Sequence, residues 1–130
     1  MYKIDKKDYG YLLTFSGMIN LDEMSKWVED SKKALIGAPL SFGVVIDMRD
    51  LKPIAEDVKK KMEEGQKLYK QKGMVRSAVI LNSAVLTLQF KRIAQKSGIY
   101  KTERYVNASK VSDWEKVASD WVKNEIDPDK

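Results

Sequence analysis

The chain opens on two β-rich runs and then settles into strands that alternate with helices, as the recurrence of its apolar residues indicates. Tyr2 to Lys6 is a short, polar candidate strand, and Tyr11 to Gly17 is a second. The Gly-containing turn Asp8-Tyr9-Gly10 between them predicts an antiparallel hairpin. Asn20 then reads as a helix N-cap, with Glu23 three residues on as its capping-box partner. Leu21, Met24, Trp27, Val28, Ser31 and Leu35 follow at spacings of three and four, one face of a helix that Gly37-Ala38-Pro39 ends.

Phe42 to Met48 is an unbroken apolar and β-branched run apart from Asp47, the pattern of a strand buried on both faces of a parallel sheet. Pro53 suits the first turn of a helix. Ile54, Val58, Met62, Gly65 and Tyr69 trace its inner face as far as Gly73. Ser77 to Leu81 is a further buried strand. Ser83 caps a third helix, Ala84 to Lys96, with Val85, Leu86, Phe90 and Ile93 turned inward, and Ser97-Gly98 closes it. Arg104 to Asn107 is a short strand. Ser112 with Glu115 reads as a capping box opening a last helix with Trp114, Val117, Ala118, Trp121 and Val122 inside. Ile126 to Lys130 is expected to fray.

The expected order is therefore β-β-α-β-α-β-α-β-α, an α/β fold with a mostly parallel mixed sheet and helices packed on it. No linker, repeat or low-complexity segment interrupts residues 1–130, which read as a single domain.

Composition narrows the chemistry. The chain has 43% hydrophobic and 33% charged residues, a globular balance with a heavily charged surface. It contains neither cysteine nor histidine, which excludes disulfides, thiol nucleophiles, zinc fingers and histidine-based triads or switches. Carboxylates, lysine and tyrosine remain. The net charge of +5, from 24 basic and 19 acidic residues, favours anionic partners without forming a one-sided field. No stretch approaches the roughly 18 apolar residues of a membrane span, and Met1 to Gly10 lacks the apolar core of a secretory signal. A cytoplasmic location is the expectation.

The element order, the length and the segment Val44-Val45-Ile46-Asp47-Met48-Arg49-Asp50-Leu51 resemble the STAS superfamily, whose founders are bacterial anti-sigma-factor antagonists. The stretch from Arg76-Ser77-Ala78-Val79-Ile80 through Arg104-Tyr105 to Trp114 is most similar to the SpoIIAA-like, or STAS/SEC14-like, branch. The resemblance spans nearly the whole chain. It implies a non-enzymatic module that binds a protein partner or a small ligand. In the antagonists a serine at the start of the helix after this strand, in an Asp-Ser-Ser-Gly step, is phosphorylated. The ungapped equivalent here is Ala55-Glu56-Asp57-Val58, with no hydroxyl, so the phosphorylation switch is expected to be lost. Glu56 or Asp57 would then imitate the phosphorylated state. Plain helix chemistry accounts for them as well, since carboxylates are favoured in a first turn. The SEC14-like branch implies an alternative, carriage of a lipid or amphiphile in an apolar cavity, expected around Leu86, Phe90 and Ile93.

Ligands of open α/β sheets bind beyond the carboxyl ends of the parallel strands. Those ends are read at Asp47 to Lys52, Asn82-Ser83 and Asn107 to Ser109. The candidate contact residues are Asp47, Arg49, Asp50, Lys52, Glu56, Asp57, Asn82 and Ser83. Free N–H groups of the helices starting near Pro53 and Ser83 are suited to a small anion. The plainer reading is that Asp47, Arg49 and Asp50 pair with one another. Asp47 and Asp50 have no nucleophile near them that would make a catalytic pair, and no third carboxylate or phosphate loop that would hold a metal. No catalytic residue, metal site or cofactor is expected.

Lys59, Lys60 and Lys61 with Lys67, Lys70, Lys72 and Arg76 make a basic stretch, but Glu56, Asp57 and Glu63 precede Lys60, Lys61 and Lys67 by four, ion pairs of a solvated helix face that argue against a nucleic-acid surface. Lys91, Arg92, Lys96, Lys101 and Arg104, with Tyr100 and Tyr105 nearby, are opposed only by Glu103. Lys91, Arg92 and Arg104 are therefore the candidate anionic contact, against ordinary solubility charge as the alternative. Trp114 and Trp121 lie seven apart, a core face of the last helix or, alternatively, a dimer seam.

Overall fold

The computed structural model describes residues 1–130. Strand β1 (Tyr2–Lys7) turns through Asp8 and Tyr9 and pairs antiparallel with β2 (Gly10–Gly17). Gly10 has φ +143°, and a Cβ there would lie 2.0 Å from the Gly43 carbonyl oxygen, so only glycine lets the hairpin close on β3. Helix α1 (Leu21–Ala34) begins where Asn20 Oδ1 accepts the Glu23 N–H at 2.9 Å. The Glu23 carboxylate does not complete a reciprocal box; it pairs with the N-terminal ammonium at 2.8 Å.

Strand β3 runs Phe42–Leu51, three residues further than the apolar run indicates. Asp47, Arg49 and Asp50 are thus strand residues and not a loop beyond it. The register explains this: Asp47 lies opposite Thr14, and Asp50 and Leu51 lie opposite Ser16 and Gly17 of β2. Because β3 is longer, α2 (Glu56–Lys72) starts later, with Ala55 at the N-cap. Pro53 therefore lies in the connection and not in the first helical turn. Strand β4 (Met74–Leu81), α3 (Ala84–Ser97), a 3₁₀ turn (Tyr100–Thr102), β5 (Glu103–Asn107) and α4 (Trp114–Asn124) complete the chain. Ser83 caps α3 through the Leu86 N–H. The Ser112–Glu115 box does not form: α4 starts from Asp113 without a side-chain cap, and residues 112 and 113 are in the turn before it.

The five strands lie side by side in chain order, and only β1 is antiparallel to its neighbour. Two cores result, one on each face. The larger contains 22 buried residues, among them Leu13, Phe15, Val44, Ile46 and Val79 of the sheet, under Trp27, Tyr69 and Phe90 of α1, α2 and α3. The smaller has seven, with Val45, Ala78, Ile80 and Val106 under Ala118, Trp121 and Val122 of α4. That difference places most of the apolar burial on the three-helix face.

Helices α1 and α2 meet at Gly65. A Cβ there would lie 2.0 Å from Cζ3 of Trp27, whose ring stacks on Tyr69 at 5.7 Å. Val85, expected inside, is exposed; Leu86, Phe90 and Ile93 form the inner face of α3 without it. Trp114 and Val117 are half-buried at the margin of the smaller core. The last residues do not fray freely, since Arg104 holds Asp127 through two hydrogen bonds of 2.9 and 3.0 Å.

Candidate functional site

The candidate residues at the carboxyl ends of β3 and β4 divide into two groups. Asp47 and Arg49 are two apart in a strand, so their side chains share a face, the one that α4 covers. Arg49 Nε and Nη2 donate to the two Asp47 oxygens at 3.0 and 2.9 Å, and the Arg49 backbone N–H adds a third bond at 3.1 Å. The guanidinium lies 4.0 Å from the centre of the Trp114 ring. Hydrogen bonding to Asp47 holds the Arg49 guanidinium above its ordinary value, with Asp50 and Glu115 adding to it. Asp47 is therefore an orienting partner, and the exposed surface of this group is the outer side of Arg49 on Trp114.

The second group belongs to the helix starts. Glu56 accepts from Lys59 at 2.8 Å, and that bond holds its carboxyl below the usual range. Asp57 Oδ1 accepts the Val58 N–H at 2.8 Å within the first turn of α2. Ser83 Oγ is taken up by capping, while Asn82 beside it is exposed. Gln89 of α3 ties the connections together: its Oε1 accepts the Ile54 N–H at 3.3 Å and its Nε2 donates to the Ile54 carbonyl at 3.5 Å. The β3–α2 connection is thereby joined to the second turn of α3, with Lys52 exposed at one side. Asn107 and Ser109 satisfy each other locally, the Ser109 hydroxyl donating to Asn107 Oδ1 at 2.6 Å.

The basic candidates also separate. Lys91 and Arg104 line one depression with Tyr100, Lys101 and Tyr105. Arg92 lies in another, between α2 and α3, with Lys60, Lys96 and Glu56. Arg104 is not a free cation: besides Asp127, it donates to the Lys101 and Glu103 carbonyls and stacks 4.3 Å over Trp121.

Glu103, which the sequence reads as a surface counter-charge, is buried. Ser77 Oγ donates to one oxygen at 2.9 Å and the Tyr105 hydroxyl to the other at 2.6 Å. No cation pairs with it, and burial pushes its carboxyl up to about 7. Its position in β5 opposite Ser77 of β4 puts it on the three-helix face. There it borders an interior cavity of about 30 Å³, also lined by Trp27, Gln66, Tyr69 and Phe90. That is room for roughly one or two water molecules. Leu86, Phe90 and Ile93 are themselves buried in the larger core, and Phe90 lines this cavity.

No helix is long and apolar enough to cross a membrane, and no group of three or more carboxylates is placed to hold a metal ion. No protein-family model matches the chain, and no curated protein compared with it does either.

Proposed function

We propose that this chain is a non-enzymatic, STAS-like binding module of the cytoplasm, which contacts a protein partner or a small polar ligand through the β3–α2 connection, the first turn of α2 and the Asn82-Ser83 turn. The observation that carries this reading is the Gln89–Ile54 clasp, which makes one fixed surface of segments far apart in sequence. A preorganised surface loses less entropy on association than a mobile one. The polar groups around it favour binding over chemistry. Glu56, Asp57 and Ser83 each use an oxygen within the fold, which leaves fixed charge and amide groups to face a partner. In the family resemblance Glu56 and Asp57 fall at the phosphorylated step, and the lack of a hydroxyl there supports a module without a phosphorylation switch.

Affinity capture from a cell extract with wild type, Asp57→Ser and Asp57→Lys tests this. A partner held by wild type and lost with Asp57→Lys is the expected result. Equal capture by Asp57→Lys, or no specific capture by wild type, overturns the reading.

A further inference from the structure

A second surface lies on the other side of α3. Helix α3 packs on α2 and on the 3₁₀ turn, which leaves its outer stripe facing the open side of β5. Ala84, Leu88 and Lys91 recur on that stripe at helical spacing. Across from them are Tyr105, Val106 and Asn107 of β5. Two depressions result, one of about 460 Å³ floored by Leu81, Ala84, Leu88 and Val106, the other of about 330 Å³ beside Tyr100 and Lys101. Both are lined by Lys91 and Tyr105, so they form one groove with an apolar end and a basic end.

We propose that this groove seats a segment of an acidic partner protein, an apolar side chain entering beside Leu88 and neighbouring carboxylates meeting Lys91 and Lys101. Leu88 is 56% exposed at the apolar end, a large apolar side chain left open to solvent. Neither Lys91 nor Lys101 pairs with a carboxylate; Lys91 rests 5.4 Å over the Tyr105 ring. The two acids beside them are engaged elsewhere. Glu103 is turned inward to Ser77 and Tyr105, and Asp129 lies 3.6 Å from Arg104. The groove is therefore short of negative charge, and complementarity selects an acidic occupant. A second copy would set lysines against lysines on chains that each carry +5. The segment is read through its side chains, not as an added strand. Arg104 occupies the Lys101 and Glu103 carbonyls, and the Asn107 carbonyl accepts the Lys110 and Val111 N–H groups, which closes both ends of the β5 edge.

The groove adjoins the Asn82-Ser83 turn through Leu81 and Ala84 but includes no residue of the β3–α2 connection or of α2, and the proposal does not rest on that surface. Selection of a random-peptide phage library against the immobilised full chain tests it, with the most enriched peptide synthesised and its affinity measured by fluorescence anisotropy. Enriched peptides are expected to carry carboxylates next to an apolar residue. Leu88→Glu and the Lys91→Glu/Lys101→Glu pair should each weaken that peptide by about tenfold or more, as loss of a contact at the centre of an interface does. Asp57→Lys should leave it within about twofold, since charges remote from an interface contribute little. All four positions are exposed or half-buried, and unchanged thermal melting verifies the fold of each variant. Failure to enrich any peptide, enrichment of neutral or basic ones, or an affinity indifferent to the Lys91/Lys101 reversal overturns the proposal. So does a wild-type dimer abolished by Leu88→Glu, or lysine-dependent binding to anionic vesicles without peptide selection.

Discussion

Replacing Glu103 with Gln should remove a pH dependence of stability that wild type owes to this one side chain. The carboxyl is wholly buried, accepts two hydroxyl donors and has no cationic partner, and it titrates near 7 in the fold against 4.5 as an ordinary glutamate. Between those values the unfolded chain has released a proton that the folded chain still holds, so stability falls as pH rises. Below 4.5 the group is neutral in both states, and above about 7 it is charged in both, so the loss is confined to that window. At about 1.4 kcal/mol per unit, the separation corresponds to roughly 3 kcal/mol. The carboxyls held low, such as Asp127 at about 2, act in the opposite sense but titrate below the window. Glutamine keeps the shape and one acceptor, and either hydroxyl can rotate to accept from its amide. Urea unfolding followed by tryptophan fluorescence, at several pH values from 4.5 to 8, gives the difference between wild type and Glu103→Gln. That difference should move against wild type by about 3 kcal/mol and level off above pH 7. Parallel curves across the window would refute the argument, because they would mean that Glu103 ionises as freely in the fold as out of it.

Gly65→Ala should destabilise the fold by about 1–3 kcal/mol in chemical denaturation, since the new methyl meets the Trp27 ring and the Trp27–Tyr69 stack must shift; an unchanged midpoint would contradict the packing. Asp127→Asn should release the last residues from Arg104 and raise amide exchange over 126–130 while leaving β4 protected; unaltered exchange there would mean that the pair does not anchor the tail. A double-mutant cycle on Arg49→Ala and Trp114→Ala should return a coupling of about 0.5–1 kcal/mol from the guanidinium on the ring, and a coupling of zero would remove that contact from the account.

The hairpin, the parallel strands and the Asn20 and Ser83 caps were legible because each rests on local chemistry: a turn, a period, a side-chain oxygen three residues before an N–H. The end of β3 was not. Its charged residues look like loop, yet pairing with β2 carries the strand through Asp50, and the face bearing Asp47 and Arg49 is only partly covered by α4. That one extension also displaced Pro53 from the helix. Val85 follows a helical period, yet only Leu86, Phe90, Ile93, Ala94 and Ser97 of α3 are buried, so the apolar stripe is broader than the face that packs. Glu103 departs furthest from its local pattern. Nothing local to Thr102-Glu103-Arg104 marks the acid as buried; only the register of β5 against β4 brings Ser77 to it. The arginine next to it in sequence faces the other side of the sheet and serves Asp127. The split of Lys91 from Arg92 has the same origin, since adjacent helical positions face different neighbours.

Partner recognition is assigned to the β3–α2 connection, the first turn of α2 and the Asn82-Ser83 turn. Amide chemical-shift mapping of the labelled chain, titrated with the partner that wild type captures, tests it most directly. The largest changes are expected at Asp50, Glu56, Asp57, Asn82 and Ser83. Changes confined to other surfaces, α4 or the α3–β5 groove included, with those five residues unmoved, would contradict it.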